Sequence, residues 1–119
     1  MSIPVDASEV PDLLSEYGTA PFLVTTSPDG AAKVVHVSML WNGDAAAFQC
    51  APGGGTLRNL TGGGPATLVF PGPDADTHSW LVDAIGTVDP EDNGWAVLAY
   101  RSGILHRPAS GVLEDQRDC

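Results

Sequence analysis

The sequence predicts a mainly β chain, a small antiparallel barrel carrying one or two short helices. Three observations carry that expectation. Short apolar runs of strand length recur along most of the 119 residues. Glycine, proline and Asn-Gly or Asp-Gly turn signals separate them. Clear helical spacing is confined to a stretch near the N-terminus, with a briefer helix-like turn between two glycine triplets. By length the chain is read as one domain, residues 1–119, with its core over about residues 10–109 and a polar tail, 110–119, that frays.

In SEVPDLLSEY (8–17), Val10, Leu13, Leu14 and Tyr17 fall at helical spacing, Ser8 is available as a cap, and Gly18 is placed to end the helix. PFLVTTS (21–27) reads as a strand and PDG (28–30) as a turn. AKVVHVSMLW (32–41) is a longer strand, and NGD (42–44) is a hairpin signal leading into AAAFQC (45–50). GGGTLRNLTGGG (53–64) brackets a turn of helix with two glycine triplets, and PATLVF (65–70) is the next strand. PGPDADT (71–77) is a surface loop, HSWLVDAIGTVD (78–89) the longest strand, and PEDNG (90–94) a reversal. WAVLAY (95–100) returns the chain, and ILHRP (104–108) adds a short last strand. Closing such a meander into a barrel removes its exposed edges.

In the 32–41 strand, Val35, Val37, Met39 and Trp41 share one face while Val34, His36, Ser38 and Leu40 share the other. Both faces are largely apolar, whereas a lone barrel turns a polar face to water. A second subunit covering the outer face, and hence a homodimer, is expected.

Fifteen acidic residues against five basic ones give a net charge of -10, a field that repels polyanions. Lys33, Arg58, Arg101, Arg107 and Arg117 form no run, so neither nucleic acid nor an anionic membrane is an expected partner. The N-terminal MSIPVDASEV lacks the basic and apolar regions of a signal peptide, and no apolar run approaches the roughly 18 residues of a spanning helix. A cytoplasmic location is expected. Cys50 and Cys119 read as free thiols, and His36, His78 and His106 are too scattered to form a metal site.

The runs DGAAKVVHVSMLWNGD (29–44), RNL (58–60), PATLVFPGP (65–73), WLVDAIGTV (80–88) and ILHRPA (104–109) resemble the flavin-binding split-barrel family. The resemblance is closer to its small actinobacterial-type members, labelled pyridoxamine 5'-phosphate oxidase-like, and covers roughly residues 10–109. It implies a six-stranded split barrel, dimeric, with flavin mononucleotide (FMN), or in some relatives a deazaflavin or haem, in a groove between subunits. The implied activity is FMN-dependent oxidoreduction of a small organic molecule. By the same resemblance Val35, His36, Val37 and Ser38 line the isoalloxazine ring. Cys50 with Gly53, Gly54, Gly55, Thr56 and Arg58 stands where the phosphate is held.

Where many relatives carry Thr, Arg and Lys ahead of a Val-Arg-Asn-Leu turn, this chain has Gly54, Gly55 and Thr56, then Leu57, Arg58, Asn59 and Leu60. A charge-assisted hydrogen bond contributes roughly 1.5 to 3 kcal/mol, so losing two weakens FMN binding by about a hundredfold to ten-thousandfold. Two readings of the segment stay open. Converging backbone N–H groups, the Thr56 hydroxyl and the Arg58 guanidinium make a phosphate cradle, or the glycines only connect two strands. His36 is the candidate catalytic residue, as general acid or base or as a donor to a carbonyl, and the alternative is a satisfied interface histidine. Against the flavoenzyme stand a flavin-free barrel doing acid-base chemistry on a small metabolite, and a non-catalytic ligand-binding dimer.

Overall fold

The computed structural model describes residues 2–74 and 76–108. Its elements are β1 (Ser2–Val5), a 3-10 turn (Ala7–Glu9), α1 (Val10–Tyr17), β2 (Phe22–Thr26), β3 (Ala32–His36), β4 (Leu40–Asn42) and β5 (Ala47–Cys50). After these come α2 (Gly54–Leu60), β6 (Gly64–Phe70), β7 (Ser79–Val88) and β8 (Ala96–His106). Every strand pairing is antiparallel, in the order β3-β2-β6-β7-β8-β5-β4, with β1 added to β8. The expected mainly β architecture with two short helices is what forms. The expected polar tail, 110–119, lies outside the described residues.

The two ends of that order, β3 and β4, are consecutive in the chain. Residues 37–39 join them, with the Val37 N–H donating to the Pro21 carbonyl at 3.1 Å and the Met39 N–H to the Thr19 carbonyl at 2.8 Å. The single strand expected over 32–41 is therefore one bent stretch that pairs with β2 in its first half and with β5 in its second. Counted once, it makes six barrel strands. The hydrogen-bond ladder stays open between β3 and β4 while the chain itself crosses the gap, which is a split barrel.

Sequence chemistry explains where the elements start and stop. Asp6, not Ser8, caps the first helical turn: its carboxylate accepts from the Ser8 N–H at 3.1 Å and the Ser8 hydroxyl at 2.6 Å, and Glu9 accepts from the Asp6 N–H at 3.3 Å. The Ser8 hydroxyl, then its N–H, hold the Asp6 carboxyl below its usual range. Gly18, at φ 84°, ends α1. The hairpin after β4 is longer than a two-residue turn, because the Asn42 side-chain oxygen accepts from the Asp44 and Ala45 N–H groups and Ala46 takes φ 49°. The two strands expected at 95–100 and 104–108 are one. A register shift opposite Asp83 and Ala84 leaves Arg101 unpaired, bending β8 so that it pairs with β5 up to Ala99 and with β1 from Gly103.

The core gathers where the inward residues of β5, β6, β7 and β8 meet. Trp80 stacks on Phe70 with ring centres 4.2 Å apart and the planes at 22°, and Phe48 packs beside both. Leu23, Leu68, Val82 and Leu98 complete the layer, and Leu60 of α2 is fully buried with it. The opposite pleat is another matter. Val34 is 59% exposed and Leu40 60%, with Phe22 and Ile85 also open, so the described residues leave an apolar outer face uncovered. No helix among the described residues is long and apolar enough to cross a membrane.

A half-buried phenol and a buried thiol set an alkaline limit. The Tyr100 hydroxyl donates to the Val5 carbonyl at 2.6 Å, and burial, with Asp6 and Glu9 adding to it, pushes its pKa from 10.0 up to about 12. Burial alone pushes the Cys50 thiol from 9.0 up to about 11. Both folded values are raised, so the unfolded chain loses these protons first, and stability is full below the unfolded values and falls as pH climbs through the folded ones. The denaturant midpoint should hold up to about pH 8 and drop by about pH 11, with Tyr100→Phe flattening the fall. An unchanged midpoint across that window would show that neither group is protected.

Candidate functional site

The pleat of β3 sorts its residues between two places. Lys33 pairs opposite Thr25, a fully inward residue of β2, and so stands on the same side as Val35. Thr25 accepts a hydrogen bond from the Asn59 side-chain amide at 3.1 Å, which ties α2 to this edge of the barrel. The start of α2 is thereby brought against β3. Between them lies an open cleft of about 430 Å3 lined by Ser27, Ala31, Ala32, Lys33, Gly55, Arg58 and Asn59.

Charge makes this cleft unusual for the chain. Acidic residues outnumber basic ones fifteen to five, yet among the described residues the lining holds two cations and no carboxylate. The Lys33 stem lies across Gly55, and the Arg58 guanidinium reaches back to Gly54, where an added Cβ would sit 3.4 Å from it. Asp29, in the adjoining turn, is engaged by the Ser27 hydroxyl and the Ala31 N–H, and these bonds hold its carboxyl below the usual range. Two convergent cations in one concave site attract an anion.

Of the residues expected at the phosphate, Gly55 and Arg58 line the cleft and Gly54 adjoins it. Gly53 precedes α2 at φ 100°. Thr56 is fully buried, its hydroxyl without a partner among the described residues, and it is absent from the lining, so the hydroxyl contribution expected of it is not available there. Cys50 is likewise buried in the core, a free thiol with its proton held by burial, and its side chain does not reach the cleft.

Among the residues expected along a ring, Val35 and Val37 are half-buried on the inward side, and His36 and Ser38 are exposed on the other. The His36 ring stacks on Phe22 at 4.5 Å, and its Nε2–H donates to the Ala20 carbonyl at 2.9 Å. A carbonyl can only accept, so the neutral ring carries its proton on Nε2 and leaves Nδ1 as an acceptor. β3 is also a terminal strand of the ladder, so among the described residues one edge of its backbone is unpaired between Lys33 and His36, a span of about 10 Å.

Lys33 is the residue the sequence reading passed over. Its parity with Val35, Val37, Met39 and Trp41 places a cation on an inward row, where a charge needs a reason. Asn59 and Ser27 left no comparable trace. No group of three or more His, Cys, Asp or Glu side chains among the described residues is placed to hold a metal ion.

No protein-family model matches the chain, and no curated protein matches it. Among solved structures, it is similar to the FAD binding protein from Mycobacterium smegmatis, with 16% identity, 90% of this chain and 100% of that chain covered, and a TM-score of 0.61. At that identity the likeness is one of fold. The chain shares the architecture of that protein over nearly its whole described length.

Proposed function

We propose that the chain is a flavin-binding split-barrel protein, acting as a homodimer and as an FMN-dependent oxidoreductase on a small organic molecule. The observation that carries this reading is the cleft in which Lys33 and Arg58 converge at one end of the unpaired β3 edge. Its donors suit a phosphate monoester: an ammonium, a guanidinium and an amide, with a glycine where a side chain would fill the space. The M. smegmatis protein of the same fold is an FAD binding protein, which supports a flavin in general.

A flavin, when bound, would supply the redox chemistry. The residues of this chain bind and orient around it. Lys33 and Arg58 hold the phosphate, the β3 edge offers backbone groups to a planar ring, and Val35 and Val37 keep water from its inner side. His36, fixed by the Ala20 carbonyl, presents Nδ1 to accept a hydrogen bond or a proton from a substrate. The apolar face around Val34 and Leu40, covered by a second copy, would close the ring side of the groove.

Purification without added flavin, an absorption spectrum, flavin titration followed by fluorescence, and sedimentation of the same sample test the reading. Saturable FMN binding with a Kd of about 10 µM or tighter, in a particle of twice the chain mass, is expected. No saturation by about 500 µM FMN overturns the flavin assignment, and a single-chain mass in the flavin-loaded sample overturns the dimer.

A further inference from the structure

We propose that Gly55 is a positioning residue: its missing side chain lets Lys33 lie across the start of α2 and present its ammonium, beside Arg58, to a phosphate group in the cleft. The inference deepens the flavin reading and rests on it for the identity of the phosphate ester. The cation that the 53–58 turn lacks is delivered from a different strand.

The geometry is specific to this position. A Cβ built on Gly55 would stand 2.7 Å from Lys33 Cε, 3.1 Å from Nζ and 3.2 Å from Cδ. Any side chain there evicts the lysine from its course. The backbone supplies no other reason for the glycine, because Gly55 is not among the positive-φ residues, whereas Gly53 is at φ 100°. Glycine is the poorest helix former after proline, and Gly55 sits within α2. A helix-weakening residue without a conformational need is explained by close approach. Lysine on an edge strand also serves to block pairing with other chains, but such a lysine extends into solvent. Lys33 instead folds over Gly55 into a cleft lined by a second cation.

Gly55→Ala therefore gives two effects of opposite sign. The atoms it meets are the far end of a flexible side chain, so the fold accommodates it, and helix propensity with reduced unfolded-chain entropy raises the Tm by about 2 to 4 °C. Binding of inorganic phosphate, read from amide shifts of residues 54–58, and of FMN, read by fluorescence, weakens about tenfold or more. Riboflavin, which has no phosphate, is bound as before. Lys33→Ala reproduces the losses, and Lys33→Ala with Gly55→Ala is no worse than the poorer single variant, since both remove the same ammonium.

Unchanged phosphate affinity in Gly55→Ala, additive losses in the double variant, or equal weakening of FMN and riboflavin each overturns the proposal. A wild-type chain that binds no phosphate also overturns it. Phosphate binding lost on Gly55→Ala in a protein that takes up no flavin would leave the positioning role standing and remove the flavin reading.

Discussion

Gly103→Ala is expected to destabilise the fold by about 2 to 4 kcal/mol, from overpacking together with the loss of a partly buried hydrogen bond. Gly103 is a buried residue of β8, paired on one side with Val5 and on the other with Val82. A Cβ there would fall against the Tyr100 hydroxyl, 3.1 Å from its Cζ and 3.3 Å from Trp80 Nε1. Neither ring can withdraw cheaply. Tyr100 is held by its bond to the Val5 carbonyl and packs edge-on to Trp41, and Trp80 is stacked on Phe70 in the core. Urea titration checks the prediction, and Tyr100→Phe supplies its control. Removing the hydroxyl alone costs the Val5 bond, but in the Gly103→Ala background it also removes the closest clash. The double variant should therefore be more stable than the sum of the two losses. Simple additivity would mean that the Tyr100 contact is not what forbids a side chain at 103.

The legible parts of this fold are those written in side-chain period. β6 and β7 were read to within a residue or so, because alternation over 65–70 and 78–89 is bounded by turn chemistry on both sides. Alternation says nothing about which neighbour a strand bonds. The 32–41 run keeps its pleat through the bend at 37–39, from Val35 to Met39 to Trp41, so the switch of partner from β2 to β5 left no mark on the pattern. β1 was missed because SIPV is four residues with a proline, and its strand character comes from pairing with the far half of β8. Arg101, Ser102 and Gly103 read as a break for the opposite reason. A polar stretch at a bulge imitates a turn, and only the register with β7 shows the strand running through. The site divides the same way. Arg58 and the glycines were visible as a motif, Lys33 was passed over although its parity puts a charge on an inward row, and the meeting of β3 with α2 depends on Asn59 reaching Thr25, a contact 34 residues apart in sequence.

The combined substitution Lys33→Ala, Arg58→Ala should lower FMN affinity by about a hundredfold to ten-thousandfold, two charge-assisted hydrogen bonds at roughly 1.5 to 3 kcal/mol each. Both residues are exposed and line an open cleft, so the denaturant midpoint should stay near that of the wild type. Fluorescence titration with FMN and riboflavin in parallel separates the possible causes. Loss confined to FMN assigns the cations to the phosphate, and an equal fall for both ligands would mean that the substitutions damage the ring groove instead. Lys33→Arg should keep most of the affinity at low salt, since charge survives, while its broader planar head has to find room over Gly55. Raising ionic strength should weaken the wild type and leave the double variant nearly unmoved, because exposed charges are screened over about 8 Å at physiological salt. An FMN affinity unaffected by losing both cations would place the phosphate elsewhere. The cleft would then be a feature of the fold in search of a different anion, and the unpaired edge of β3 would have to hold a flavin without it.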